Sequence, residues 1–283
     1  MTKNARSDST LSRREFLIAS AAAGFALAAR PISAATIITE ADGLVAGEVK
    51  IPAVGGEIAG YRAMPGGAGP FPTILVVHEI FGVHEYIRDV CRRLAKAGYF
   101  AVAPDLYGRQ GSVVNLPDRD QIMAVVGRVP DAQVLADLDS TLAWAKGGKA
   151  DVTRAAITGF CWGGRIVWLY AAHSTALRAG AAWYGPLAGD ATPLRPKNPV
   201  DVASQLRFPV LGLYGGADAN ISQAAIEQMR KAIAAAGGTS EIVVYPDAPH
   251  GFHADYRPSY READALDAWK RMLAWFAKYG VGG

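Results

Sequence analysis

Cysteine is almost absent: the 283 residues carry two, Cys91 and Cys161, too few for a disulfide scaffold. Long hydrophobic runs are missing as well. The apolar stretch from Ile18 to Ala29 spans twelve residues, short of the roughly 20 that a membrane helix needs, and no later run is long enough. Charge of one sign is scarce, with 29 Lys and Arg against 26 Asp and Glu, a net +3. Lys3, Arg6, Arg13, Arg14 and Arg30, set against Asp8 and Glu15, place that whole excess in the first 34 residues. The remainder is neutral, and no nucleic-acid partner is expected. Gly66-Gly67-Ala68-Gly69-Pro70 lacks the Lys-Ser/Thr of a phosphate loop. His78-Glu79 does not open an H-E-x-x-H zinc motif, because Gly82 stands where the second histidine belongs. His78, His84 and His173 therefore read as structural, and no metal is expected.

What is present points to a folded globular chain. Hydrophobic residues make up 51% of the chain, with six Trp, eleven Tyr and nine Phe, ample for one large core. Ser12-Arg13-Arg14-Glu15-Phe16-Leu17, the short apolar run and the small residues Ser33-Ala34-Ala35 have the layout of a twin-arginine signal peptide over residues 1–34. That predicts a soluble periplasmic or secreted product. Beyond it, Gly47–Pro52 and Glu57–Met64 alternate as a hairpin. Continuous apolar runs at Thr73–Val77, Phe100–Ala103, Ala155–Thr158, Ala179–Tyr184, Pro209–Tyr214 and Glu241–Tyr245 read as buried strands. Helical patterns at Tyr86–Ala97, Asp131–Lys146, Gly163–Ala172, Gln223–Ala236 and Tyr260–Lys278 alternate with them, with a short helix at Asp120–Arg128 and a Pro-rich loop over 185–208. The fold class is α/β: a three-layer sandwich with a mostly parallel central sheet, one domain over residues 35–283. Cys91 falls in a helical stretch and Cys161 in a turn, and both are expected to stay thiols.

The turn is the informative segment. Gly159-Phe160-Cys161-Trp162-Gly163-Gly164, between a strand and a helix, is a nucleophile elbow with Cys for Ser. The flanking glycines leave room for the sharp turn. The helix N-terminus favours a thiolate, and the Trp162 N–H faces a developing oxyanion. Asp218 follows the next strand but one and His250 follows the strand after that, the nucleophile–acid–histidine order of α/β-hydrolases. Strand ends at one sheet edge are where such sites form. Taken singly, Cys161 is also readable as a buried thiol in a tight turn, Asp218 as a helix cap and His250 as a turn residue. His78-Glu79-Ile80-Phe81-Gly82 follows the first buried strand, where the second oxyanion N–H belongs, here Ile80. Glu79 is expected near the Cys161 sulfur. Trp162, Phe81, Tyr107 and Trp183 are candidates for an apolar acyl pocket, with core packing the alternative for Trp183.

These segments, with Ala103-Pro104-Asp105-Leu106-Tyr107-Gly108-Arg109-Gln110 and His250-Gly251-Phe252, resemble the dienelactone hydrolase (carboxymethylenebutenolidase) family over residues 44–278. The resemblance implies an α/β-hydrolase fold and a Cys161–His250–Asp218 triad. It also implies that Glu79 hydrogen-bonds the resting nucleophile, that no cofactor is needed, and that a small-molecule enol-lactone or ester is hydrolysed; separately, a monomer is expected. Arg109 matches the first of the family's two carboxylate-binding arginines. The second position is Ala254 here, with Arg257 three residues on. Two alternatives remain open at this point: a periplasmic carboxylesterase or thioesterase of broader specificity, and a non-catalytic binding protein on the same fold.

Overall fold

The computed structural model describes residues 36–283; the signal-peptide reading of residues 1–34 lies outside them. The chain forms an eight-stranded sheet, built from β1 (Leu44–Ala53), β2 (Gly56–Pro65), β3 (Phe71–Val77), β4 (Phe100–Pro104), β5 (Ala150–Phe160), β6 (Ala179–Trp183), β7 (Val210–Gly215) and β8 (Glu241–Tyr245), in the order β1-β2-β4-β3-β5-β6-β7-β8. β1 and β2 form the expected hairpin, and β2 runs antiparallel to β4. From β4 to β8 every pairing is parallel. This is the mixed, mostly parallel sheet of an α/β-hydrolase.

The run Ile74-Leu75-Val76-Val77 is fully buried, as are Ala179, Ala181 and Ala182 on β6 and Leu213 on β7. Burying an Ile, Leu or Val contributes about 2 kcal/mol relative to exposure, so the central strands tolerate no polar alternation. The described residues include six longer helices: α1 (Glu85–Lys96), α2 (Arg119–Val126), α3 (Asp131–Ala145), α4 (Trp162–His173), α5 (Gln223–Ala235) and α6 (Glu262–Lys278). α1 packs on β2 and β4, α4 on β5 and β6, and α6 on β6 and β7. Ile87, Val90, Cys91 and Leu94 form the buried face of α1, a helical spacing. Both cysteines are free.

Three departures from the pattern reading have a local cause. β5 starts at Ala150, because Asp151 bonds the N–H and hydroxyl of Thr153 and the Arg154 guanidinium, holding a polar stretch in extended form. A short helix, Pro199–Val202, sits inside the Pro-rich loop, held by a reciprocal Asn198–Asp201 capping box. α6 begins at Glu262 because Tyr260 and Arg261 spend their N–H groups on Arg257 and Phe252 carbonyls. Among the described residues no helix is long and apolar enough to cross a membrane. Because the parallel strands share a direction, the residues that follow β3, β5, β6, β7 and β8 all emerge at one edge of the sheet.

Candidate active site

β5 runs straight into α4 with a single residue between them. That residue, Cys161, has φ 56° and ψ −118°, a region an L-residue rarely occupies and one associated with functional strain. Its N–H donates to the Trp183 carbonyl at 3.0 Å, which ties the elbow to β6. A side chain at Gly163 would put its Cβ 2.5 Å from the Val77 carbonyl oxygen and 2.6 Å from that of His78. Both are backbone atoms at the end of β3. Gly163→Ala is therefore expected to cost about 1–3 kcal/mol, read as a lowered urea midpoint, with the elbow displaced from β3. An unchanged midpoint would mean the turn has slack that this geometry denies.

The three residues singled out by order do meet. His250 Nε2 lies 3.2 Å from Cys161 Sγ, and His250 Nδ1 lies 2.8 Å from Asp218 Oδ2. The other Asp218 oxygen accepts from the Asn220 N–H at 2.8 Å, fixing the carboxylate. Ser222, not Asp218, caps α5. Burial pushes the His250 pKa down, but the Cys161 sulfur and the Asp218 carboxylate outweigh it and raise it to about 10. The N–H groups of Trp162 and Ile80 have no acceptor among the described residues.

Glu79 corrects one expectation. It is fully buried, but the hydrogen-bond partner of the sulfur is His250, and the bonds of Glu79 go to other groups. The Tyr256 hydroxyl donates to Glu79 Oε2 at 2.5 Å, the Arg257 guanidinium lies 3.7 Å from Oε1, and His84 Nε2 lies 3.4 Å from Oε2. The cause is electrostatic. Burial alone would raise the carboxyl pKa, but Arg257, His84 and Tyr256 bring it down to about 2, so the carboxylate is held charged by that cluster.

Arg109 is the second correction. Its guanidinium grips Asp137 through two bonds of 2.6 Å and donates to the Val54 carbonyl at 2.8 Å. Asp137 is fully buried, so a bidentate pair there is not free to receive a substrate carboxylate. The cation beside the site is Arg257, over the Phe81 ring at 5.0 Å. Tyr107 is fully buried against Trp162, centroids 4.8 Å apart, and its hydroxyl has no hydrogen-bond partner. Phe81 is nearly buried.

Sequence reasoning missed Tyr184 and Tyr256. Tyr184 follows β6 as Cys161 follows β5, so the strand-end rule could have found it. It sits at φ 37°, is fully buried, and meets the His250 ring edge-on at 5.2 Å. Tyr256 carried no local signal. Of the other histidines, His173 pairs with Asp139 at 2.7 Å, far from this chemistry in role.

The sequence profile of the dienelactone hydrolase family matches residues 58–280. A Methylorubrum extorquens protein named "Putative carboxymethylenebutenolidase" is 64% identical over 275 residues, covering 96% of this chain and 94% of its own. An Escherichia coli K12 protein of the same name is 53% identical over 259 residues, covering 91% of this chain and 96% of its own. The crystal structure titled "Putative Dienelactone Hydrolase" from Klebsiella pneumoniae superposes with a TM-score of 0.82 at 56% identity, covering 83% of this chain and 99% of that one.

Proposed function

This chain belongs to the dienelactone hydrolase family, and we propose that it hydrolyses a lactone or carboxylic ester of the enol-lactone type through a thiol ester on Cys161. The observation that carries this reading is the relay of 3.2 Å from Cys161 to His250 and 2.8 Å from His250 to Asp218. The Cys161 thiolate attacks the carbonyl carbon, and the carbonyl oxygen becomes an oxyanion held by the N–H groups of Trp162 and Ile80. The C–O bond to the enol oxygen breaks, and that oxygen leaves with the proton of the His250 imidazolium. Neutral His250 then takes a proton from water. The hydroxide adds to the thiol ester, the C–S bond breaks, and the product acid departs as thiolate and imidazolium are restored. Asp218 keeps the ring oriented and supports its charge throughout.

The leaving group decides which substrates suit a thiolate. A stabilised enolate leaves readily, whereas an amine does not, so activated esters and lactones are favoured over amides. Arg257 stands at one wall of the site, ion-paired with Glu79, and can offer a substrate carboxylate only the guanidinium hydrogens that Glu79 and Tyr256 leave open. Glu79 acts as a positioning residue that holds this cation. The leader-like Ser12–Leu17 motif supports export of the enzyme by the twin-arginine route.

The test is a substrate panel on the purified enzyme: a carboxylate-bearing enol-lactone, a neutral aryl ester and an acyl thioester, with product release followed by absorbance. Turnover of the enol-lactone with a kcat/KM at least about tenfold above the aryl ester is expected, a difference of roughly 1.4 kcal/mol in transition-state binding. Equal turnover of all three means a broad esterase. No turnover of any, with Cys161 still alkylated rapidly, refutes the hydrolase mechanism.

A further inference from the structure

A trans peptide is planar, and its C=O and N–H point in opposite directions. Whatever grips the carbonyl of Glu79 therefore aims the N–H of Ile80. His78 grips it. The His78 ring is fully buried, with Nδ1 2.7 Å from the Glu79 carbonyl oxygen and Nε2 3.1 Å from the Leu106 nitrogen. A backbone N–H can only donate, so Nε2 is the acceptor and the ring proton sits on Nδ1, donating to Glu79. The ring is thus a neutral bridge with both nitrogens engaged. Burial keeps it so, holding its pKa below the ordinary histidine value. It also lies parallel to the Trp162 indole, centroids 5.6 Å apart and planes 16° apart, and meets Tyr107 edge-on at 4.6 Å. One imidazole therefore touches the residue carrying one oxyanion donor and holds the peptide carrying the other.

We propose that His78 is the positioning residue of the oxyanion hole: by fixing the Glu79 carbonyl and stacking on Trp162, it aims the Ile80 N–H at the reacting carbonyl. The proposal rests on the acyl-transfer reading above and assigns His78 no contact with substrate.

Two readouts separate aim from general disruption. Ester hydrolysis develops an oxyanion, whereas alkylation of Cys161 by iodoacetamide does not. In His78→Leu, kcat for an aryl ester is expected to fall about 10- to 100-fold, part of the 10²–10³ that losing an oxyanion donor costs. KM and the alkylation rate are expected to stay within about threefold, since neither draws on a transition-state donor. His78→Asn places an amide donor where Nδ1 stands and is expected to recover most of kcat. His78→Gln reaches toward Leu106, leaves the Glu79 carbonyl with only the long Gly82 N–H bond of 3.3 Å, and is expected to stay low. Unchanged kcat in His78→Leu, alkylation falling in parallel with hydrolysis, or a Gln variant as active as the Asn variant would each overturn the proposal. Should the Leu variant not fold, the Asn–Gln contrast decides alone. A wild-type enzyme inert toward every ester sinks the acyl-transfer reading itself, an outcome distinct from normal hydrolysis by the variants.

Discussion

Cys161→Ala is expected to lower aryl-ester hydrolysis by at least about 10⁴-fold, the scale on which removing a member of a catalytic triad acts. The reason is local. The carbonyl has one nucleophile to meet at the elbow, and the oxyanion donors alone do not form a bond. Cys161→Ser is expected to lose nearly as much. The sulfur lies 3.2 Å from His250 Nε2, a fair contact for sulfur. A serine oxygen sits on a shorter bond to Cβ and is drawn back from Nε2, beyond the roughly 3.0 Å reach of a good hydrogen bond to a hydroxyl. Asp218→Asn should fall between these variants and the wild type, because the ring keeps its place but loses the carboxylate that supports its charge. Initial rates give the ordering, and mass spectrometry of the quenched reaction gives the acyl adduct. More than a tenth of wild-type rate in Cys161→Ala, or an adduct on any other residue, would remove Cys161 from the mechanism.

The parts of this enzyme legible in the sequence are those written by local rules. Runs such as Ile74–Val77 announce buried strands because a strand covered on both faces has no polar side. Gly159 and Gly163 announce the elbow because backbone atoms approach where a Cβ would stand. Asp218 and His250 follow from topology, since parallel strands deliver their ends to one edge. The unread parts depend on distant pairings. Tyr256 meets Glu79 across 177 positions, and nothing near either residue signals it. Arg109 meets Asp137 on a helix 28 residues away, so a motif match alone could not say that the guanidinium is already engaged. Tyr184 lies between these cases, available to the strand-end rule but masked by its apolar neighbours. Likewise His78 reads as structural from the sequence, and only its two ring contacts show what it structures.

Removing the cation from Glu79 should be the costliest change to stability. In Arg257→Met the carboxylate keeps its burial but loses the guanidinium 3.7 Å away, the largest influence opposing burial. Breaking a buried pair in this way costs about 3–5 kcal/mol, and a deficit of that size is expected in urea unfolding at pH 7. The pH dependence identifies the cause. In the wild type the Glu79 pKa is about 2 when folded against 4.5 for an ordinary glutamate. The folded state therefore binds fewer protons over that window, and the stabilisation is complete above pH 4.5 and lost as pH falls toward 2. In Arg257→Met burial goes unopposed by the arginine and pushes the carboxyl above its unfolded value, so acid relieves the penalty. The gap between wild type and variant should thus narrow steadily from pH 7 to pH 4. Adding Glu79→Gln to Arg257→Met should recover most of the loss at pH 7 and flatten the pH response, because the charge left stranded is then gone. A gap that stays constant with pH, or a double variant no more stable than the single one, would mean that Arg257 stabilises the fold by packing over Phe81 and Tyr256 instead of by neutralising Glu79.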